Sequence, residues 1–227
     1  LYKENFQLFI EYNIKDVQLV ERLEEKKKLI EMVVALAYEA KVNYQDTFGM
    51  VMMWEVILAN DLMNRNIVVP PKKDNTKNKA YVGAYVKDVQ TGMHKWVVSF
   101  DLNSLYPHLI MQYNVSPETI LTGITQQCGI DNLLDKKIDL DKFYEKDITI
   151  AASGQAFRKD VQGFLPRLMQ EKYDNRVIFK KKMIEAKKKL EKETDPKKID
   201  KLQKEADSYG NRQLAMKLML NSVYGAF

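Results

Sequence analysis

Cysteine, histidine and long apolar runs are nearly missing from this 227-residue sequence. One cysteine, Cys128, excludes an internal disulfide framework and a cysteine-rich zinc site. Two histidines, His94 and His108, leave little for a histidine-built centre, so a metal acting here would be a hard cation held by carboxylates. No apolar run reaches the roughly 18 residues of a membrane span, and no signal peptide opens the chain. A soluble, intracellular chain is expected. Neither charge sign dominates: 36 Lys+Arg against 31 Asp+Glu leave +5, which permits a polyanionic partner without requiring one. Leu1 is not an initiator Met and the closing NSVYGAF follows a helical pattern, so the chain reads as a fragment.

What is present is enough apolar sequence, 45%, for a packed core. From Ile14 to Lys41, Val17, Val20, Leu23, Ile30, Val33 and Ala37 recur at helical spacing, and a second helix is expected from Phe48 to Met63. Pro70 to Lys79 reads as an exposed connector. Tyr81–Asp88 and Lys95–Asp101 flank a Gln90–Gly92 turn and predict a hairpin, with a weaker strand in Phe143–Ala152. Leu165–Lys192 and Lys197–Phe227 are long charged helical patterns broken by Glu193–Pro196, an antiparallel helical hairpin. Gly210 raises the alternative of two helices in series within the second arm. Trp54, Trp96, His94 and Cys128 are expected to serve packing.

The first chemical constellation is KWVVSFDLNSLYPHLIMQYN. Val97, Val98 and Phe100 form an apolar run that delivers Asp101 to the end of a predicted strand. Pro107 suits the first turn of a following helix, with Ser104 or Asn103 at its N-cap. A carboxylate beside a phosphate-binding turn fits metal-assisted phosphoryl transfer, although strand, aspartate, turn and helix also occur in that order without catalysis. DLNSLYPHLI resembles motif A of family B DNA polymerases, usually D-x-x-S-L-Y-P-S-I-I; His108 and Leu109 depart from it. The resemblance implies that Asp101 is the first catalytic aspartate, holding two Mg²⁺ ions with help from the Leu102 carbonyl. It implies that backbone amides of Ser104, Leu105 and Tyr106 cradle the triphosphate, and that Tyr106 is the steric gate against a ribose 2′-OH.

The second constellation lies on the hairpin. Arg176 and Lys180 are four residues apart, and Gln213, Lys217, Asn221 and Tyr224 advance by four, four and three, so each set shares a helical face. Converging cations and an amide suit a triphosphate; a solvated face with ion pairs is the alternative, and it is the reading taken for Lys181, Lys182 and Lys187–Lys189. RQLAMKLMLNSVYG resembles motif B of the same family, R-Q-x-A-x-K-x-x-x-N-S-x-Y-G, at every specified position. The resemblance makes Lys217 a phosphate ligand and general acid toward pyrophosphate, places Asn221 on the triphosphate, and sets Tyr224 and Gly225 against the nascent base pair. Arg176 and Lys180 resemble the R-x-x-x-K pair of the fingers, and Gly163–Pro166 resembles the hinge leading into them.

Upstream, Tyr12 and Asp16 resemble the Y-x-x-x-D pattern of the third 3′→5′ exonuclease motif, where Asp16 would bind metal. Tyr81 and Gly83, in YVGA, resemble an element that contacts template-strand DNA. NVSPETI (Asn114–Ile120) is most similar to polymerases of T-even-type phages and their cyanophage relatives, which implies a virus-encoded enzyme acting in the cytoplasm of a bacterial host.

The fold implied is α+β and mainly helical, with a partial palm sheet and a long fingers hairpin. Residues 1–28 would close an exonuclease domain, 29–72 connect, 73–162 form partial palm and 163–227 fingers. The implied function is template-directed addition of dNTPs to a primer 3′-OH, with Mg²⁺ as cofactor and primer–template DNA and dNTPs as partners. A sliding clamp and replisome proteins would bind through regions outside this chain. The family's third polymerase motif, which brings a second aspartate, is absent, so this chain alone is expected to incorporate no nucleotide. The alternatives are a non-catalytic nucleic-acid or dNTP-binding module derived from a polymerase, and a structural protein built on the charged hairpin.

Overall fold

The computed structural model describes residues 2–69, 71, 86–125, 130–139, 141 and 145–226. The chain divides into two compact units, residues 1–61 with 173–227, and residues 62–172.

In the first unit, α1 (Phe6–Lys27) opens at Asn5, whose Oδ1 accepts from the Leu8 N–H at 3.0 Å. The single helix expected from Ile14 to Lys41 is in fact two, because α1 stops at Lys28 and α2 (Leu29–Ala40) restarts there. Lys28 takes a left-handed conformation (φ 52°), and the Glu24 carboxylate accepts from Leu29 and Ile30 N–H, both at 3.1 Å. A side chain that satisfies the first amides of a new helix makes the break cheap, and apolar periodicity does not register it. α2 turns through Tyr44–Phe48 into α3 (Met50–Asn64), whose Met53, Trp54 and Ile57 are buried. α1 buries no residue at all.

The hairpin is present as predicted. α6 (Phe164–Leu190) and α7 (Pro196–Ala226) run about 40 Å and 46 Å. Phe179 stacks on Tyr209 at 6.5 Å, and Met183 Sδ lies 3.6 Å from where a Cβ on Gly210 would sit, so the arms are in contact, and the short connector between Leu190 and Pro196 makes them antiparallel. α7 continues through Gly210 as one helix. A mid-helix glycine costs about 1 kcal/mol, less than packing along both neighbouring turns supplies. α7 buries Ala206, Ala215, Met216, Met219, Leu220 and Val223, and packs on α2.

In the second unit, α4 (Leu105–Tyr113) leads to β1 (Ile120–Thr125); a short α5 (Ile130–Leu134) and then β2 (Ile148–Ile150) and β3 (Gln155–Arg158) follow. The sheet is antiparallel in the order β1-β3-β2, pairing Ile120 with Phe157 and Thr149 with Phe157. Gly154 (φ 88°) turns the β2–β3 hairpin, where only glycine is at ease. β2 falls inside the strand predicted at 143–152.

The strand expected at Lys95–Asp101 is not formed. Val97, Val98 and Phe100 are exposed, and Trp96, expected to pack, is 97% exposed. A run apolar at Trp96, Val97, Val98 and Phe100 suits a strand with neighbours on both edges and cover on both faces; among the described residues nothing pairs with it. Its expected hairpin mate, Tyr81–Asp88, lies largely outside the described residues, as does Cys128. Trp54 is buried as expected, at 1%. His94 sits on an exposed turn, its Nε2 2.9 Å from the Gln90 carbonyl oxygen.

Candidate nucleotide-transfer site

Asp101 sits in an exposed, irregular segment just before α4, not at a strand end, and Leu102 beside it is exposed. α4 starts from Ser104, which occupies the N-cap position as predicted but in a left-handed conformation (φ 54°) without a side-chain capping bond. Of the two residues offered for the cap, Ser104 holds the position, but its hydroxyl does not cap the helix. The Ser104 carbonyl accepts instead from the His108 N–H at 3.2 Å and from His108 Nδ1 at 2.8 Å. A carbonyl can only accept, so Nδ1 carries the proton. Leu105 and Tyr106, partly exposed, follow in the same turn, while Pro107 packs inward. The structure thus brings the backbone of 104–106 and the Tyr106 ring into one turn, one step after Asp101.

On α7 the 213–224 stripe keeps to one face. Lys217, Asn221, Tyr224 and Gly225 are exposed and Gln213 half-buried, while Ala215, Met216, Met219, Leu220 and Val223 fill the opposite side. Packing on the apolar side holds the polar row outward, and Trp54 Nε1 donating to Ser222 Oγ at 2.9 Å fixes the helix rotation. On α6, Arg176 is half-buried and Lys180 exposed. Among the described residues, neither Lys180 nor Lys217 has a carboxylate within ion-pair distance. Tyr12 and Asp16 lie exposed on one face of α1. Tyr81 and Gly83 lie outside the described residues. Asp101 and the 104–106 turn belong to one compact unit, and the 213–224 stripe to the other.

The metal fit is incomplete. Among the described residues no three His, Cys, Asp or Glu side chains gather to hold a cation. Asp101 and the Leu102 carbonyl would supply two oxygens where a hard cation takes six or more. A cleft of about 830 Å³ between α2 and α7, past Glu31, Glu39, Asp207 and Arg212, includes none of the predicted site residues.

Two groups of residues acquire roles that sequence reasoning did not give them. Arg212 lies with its guanidinium carbon 4.2 Å from the Phe179 ring centroid and donates from Nε to Glu39 at 2.5 Å, tying α6, α7 and α2 together. Asn114, Ser116 and Glu118 direct polar atoms at the start of α6. The signal for Arg212 was local, an arginine one residue before the polar stripe; an asparagine at a helix end suggests a left-handed cap but gives no sign of its partners in the start of α6.

A family model for DNA polymerase family B matches residues 47–227. The chain belongs to DNA polymerase family B. It is 31% identical over 187 residues to the DNA-directed DNA polymerase of Escherichia phage RB69, a match covering 82% of this chain and 20% of that protein. It is 28% identical over 183 residues to the DNA-directed DNA polymerase of Enterobacteria phage T4, covering 81% of this chain and 20% of that one. The structure of a family B DNA polymerase from Pyrobaculum calidifontis superposes with TM-score 0.61 and 22% identity, over 96% of this chain and 25% of that one, which shows a shared fold. This family B chain therefore spans about a fifth of the length of the curated relatives it matches. Its α+β, mainly helical architecture is the one expected.

Proposed function

We propose that this segment carries part of the nucleotidyl-transfer site of a template-directed DNA polymerase, in which a primer 3′-OH attacks the α-phosphate of a dNTP and pyrophosphate leaves. The observation that carries the reading is the outward row of amide, ammonium and phenol on α7, where Lys217 has no carboxylate within ion-pair distance among the described residues. An exposed polar row of that kind suits a polyanion, whose charge would pair with Lys217, Lys180 and the fork of Arg176. Lys217 would also protonate the departing pyrophosphate, and Asn221 would hydrogen-bond the triphosphate. Tyr224 and Gly225 would face the nascent base pair, and Tyr81 and Gly83 the template backbone. Ser104, Leu105 and Tyr106 would receive the phosphates on their backbone, with the Tyr106 ring beneath the sugar.

Asp101 and the Leu102 carbonyl would form one side of a Mg²⁺ site whose remaining ligands are not gathered among the described residues, and the 227-residue chain alone should incorporate nothing. Tyr12 and Asp16 would belong to a proofreading exonuclease site in the same protein. The similarity to the T4 and RB69 enzymes supports a virus-encoded polymerase working in the cytoplasm of a bacterial host, and a sliding clamp and replisome proteins are natural partners for it. The test is Tyr106→Ala in the complete polymerase. Ribonucleotide incorporation should rise by roughly a hundredfold relative to deoxynucleotide, since removing the ring removes a steric exclusion. Unchanged sugar discrimination would remove the gate assignment.

A further inference from the structure

Three consecutive backbone N–H groups at the start of α6 point at side chains of one short segment, 114–118. The Gly163 N–H donates to Asn114 Oδ1 at 2.9 Å, the Phe164 N–H to Glu118 Oε1 at 2.6 Å and the Leu165 N–H to Ser116 Oγ at 3.5 Å. Asn114 is buried in a left-handed conformation (φ 57°) directly after α4, and its Nδ2 donates to the carbonyls of Arg158 at 2.6 Å and Val161 at 2.8 Å. Both amide protons and the amide oxygen are thereby used. Ser116 Oγ donates to Glu118 Oε2 at 2.5 Å and holds that carboxylate toward the helix end. A Cβ on Gly163 would fall 2.5 Å from Ser116 Cβ, so the two backbones approach as closely as glycine allows.

The helix start has been given its acceptors by the residues that end α4. A carboxylate there also meets the positive end of the helix dipole. Asn114 and Ser116 are buried, while Glu118 is exposed and held in place by its bonds to the Phe164 N–H and the Ser116 hydroxyl. α4 begins with the 104–106 turn, and α6 carries Arg176 and Lys180 three to four helical turns from its start.

We propose that Asn114, Ser116 and Glu118 form the seat of α6, with Glu118 as a positioning residue that sets the helix direction and so the presentation of Arg176 and Lys180 to a triphosphate. This rests on the polymerase reading above. Glu118 touches no reacting atom; it acts through the helix.

The experiment compares Glu118→Ala, Glu118→Gln and the unaltered complete polymerase in single-turnover incorporation of a matched dNTP, with primer–template affinity and melting temperature measured alongside. Glu118→Ala should raise the dNTP concentration for half-maximal rate about fivefold, the factor expected for loss of a helix cap. Primer–template affinity should stay as in the unaltered enzyme, and the melting temperature should fall only slightly, as for loss of one exposed helix cap. Glu118→Gln, which still offers an oxygen to the Phe164 N–H, should return to within about twofold. A wild-type dNTP dependence in Glu118→Ala overturns the proposal. So does an equal loss in both variants accompanied by a lower melting temperature, which marks a merely structural role. If the unaltered enzyme extends no primer, the polymerase reading itself fails, and that outcome is separate from the variants' behaviour.

Discussion

Trp54 and Ser222 are joined by a 2.9 Å hydrogen bond from the indole N–H to the hydroxyl, which in turn donates to the Met219 carbonyl at 2.9 Å. The bond pins α7 to α3 one residue from Asn221, so the packing of a buried tryptophan sets which way the polar stripe points. Ser222→Ala should lower stability by about 1–2 kcal/mol, because the buried indole loses this partner. Chemical denaturation of the complete polymerase followed by tryptophan fluorescence reads the shift in midpoint.

Two glycines of the hairpin should respond oppositely to alanine. Gly163→Ala drives a Cβ to 2.5 Å from Ser116 Cβ and should cost about 1–3 kcal/mol. Adding Ser116→Gly removes the clashing Cβ but also the hydroxyl that bonds Glu118, and should recover only part of that loss. At Gly210 the added Cβ would meet Met183 Sδ at 3.6 Å, an ordinary contact, within a continuous helix. Gly210→Ala should therefore stabilise by about 0.5–1 kcal/mol. Melting temperatures of the three variants decide it.

Lys217 is exposed, so Lys217→Ala should leave stability within about 0.5 kcal/mol of wild type. Affinity for dNTP should nonetheless fall roughly 10- to 100-fold, as expected for loss of a charge-assisted bond to phosphate. Equilibrium binding of dNTP to the complete polymerase on primer–template is the measurement. Unchanged affinity would favour a purely structural hairpin.

The turn between α6 and α7 carries a pH signature. Glu193 Oε1 accepts from the Asp195 N–H at 3.2 Å and the Thr194 N–H at 3.0 Å, which holds its carboxyl below its ordinary value of 4.5. A carboxylate depressed in the folded state contributes stability above its ordinary pKa and loses it as pH falls through the folded value. Glu193→Gln should lower the melting temperature slightly at neutral pH, and the difference should vanish as the pH is taken well below 4.5.

Much of this was legible in sequence because it is carried by period and punctuation. The 3.6-residue repeat of Leu165–Lys192 and the break at Glu193–Pro196 foretold the hairpin, and the four-four-three spacing from Gln213 foretold the exposed row. The Lys28 break was hidden because a Glu24 side chain, not an apolar gap, makes it. The strand at Lys95–Asp101 was over-read: its residues favour a sheet, but a strand exists only with partners, and propensity says nothing about whether they are at hand. The seat of α6 was invisible because it joins residues 114–118 to 163–165 across more than forty positions. Long-range polar pairing leaves no periodic trace.

The most direct test is single-turnover primer extension by Asp101→Asn in the complete polymerase, with dNTP binding measured on the same preparation. Incorporation should drop on the order of a thousandfold or more while dNTP binding, which the proposal gives to Lys217 and its neighbours, persists. Incorporation within about threefold of the unaltered enzyme would contradict the assignment of Asp101 to the transfer reaction.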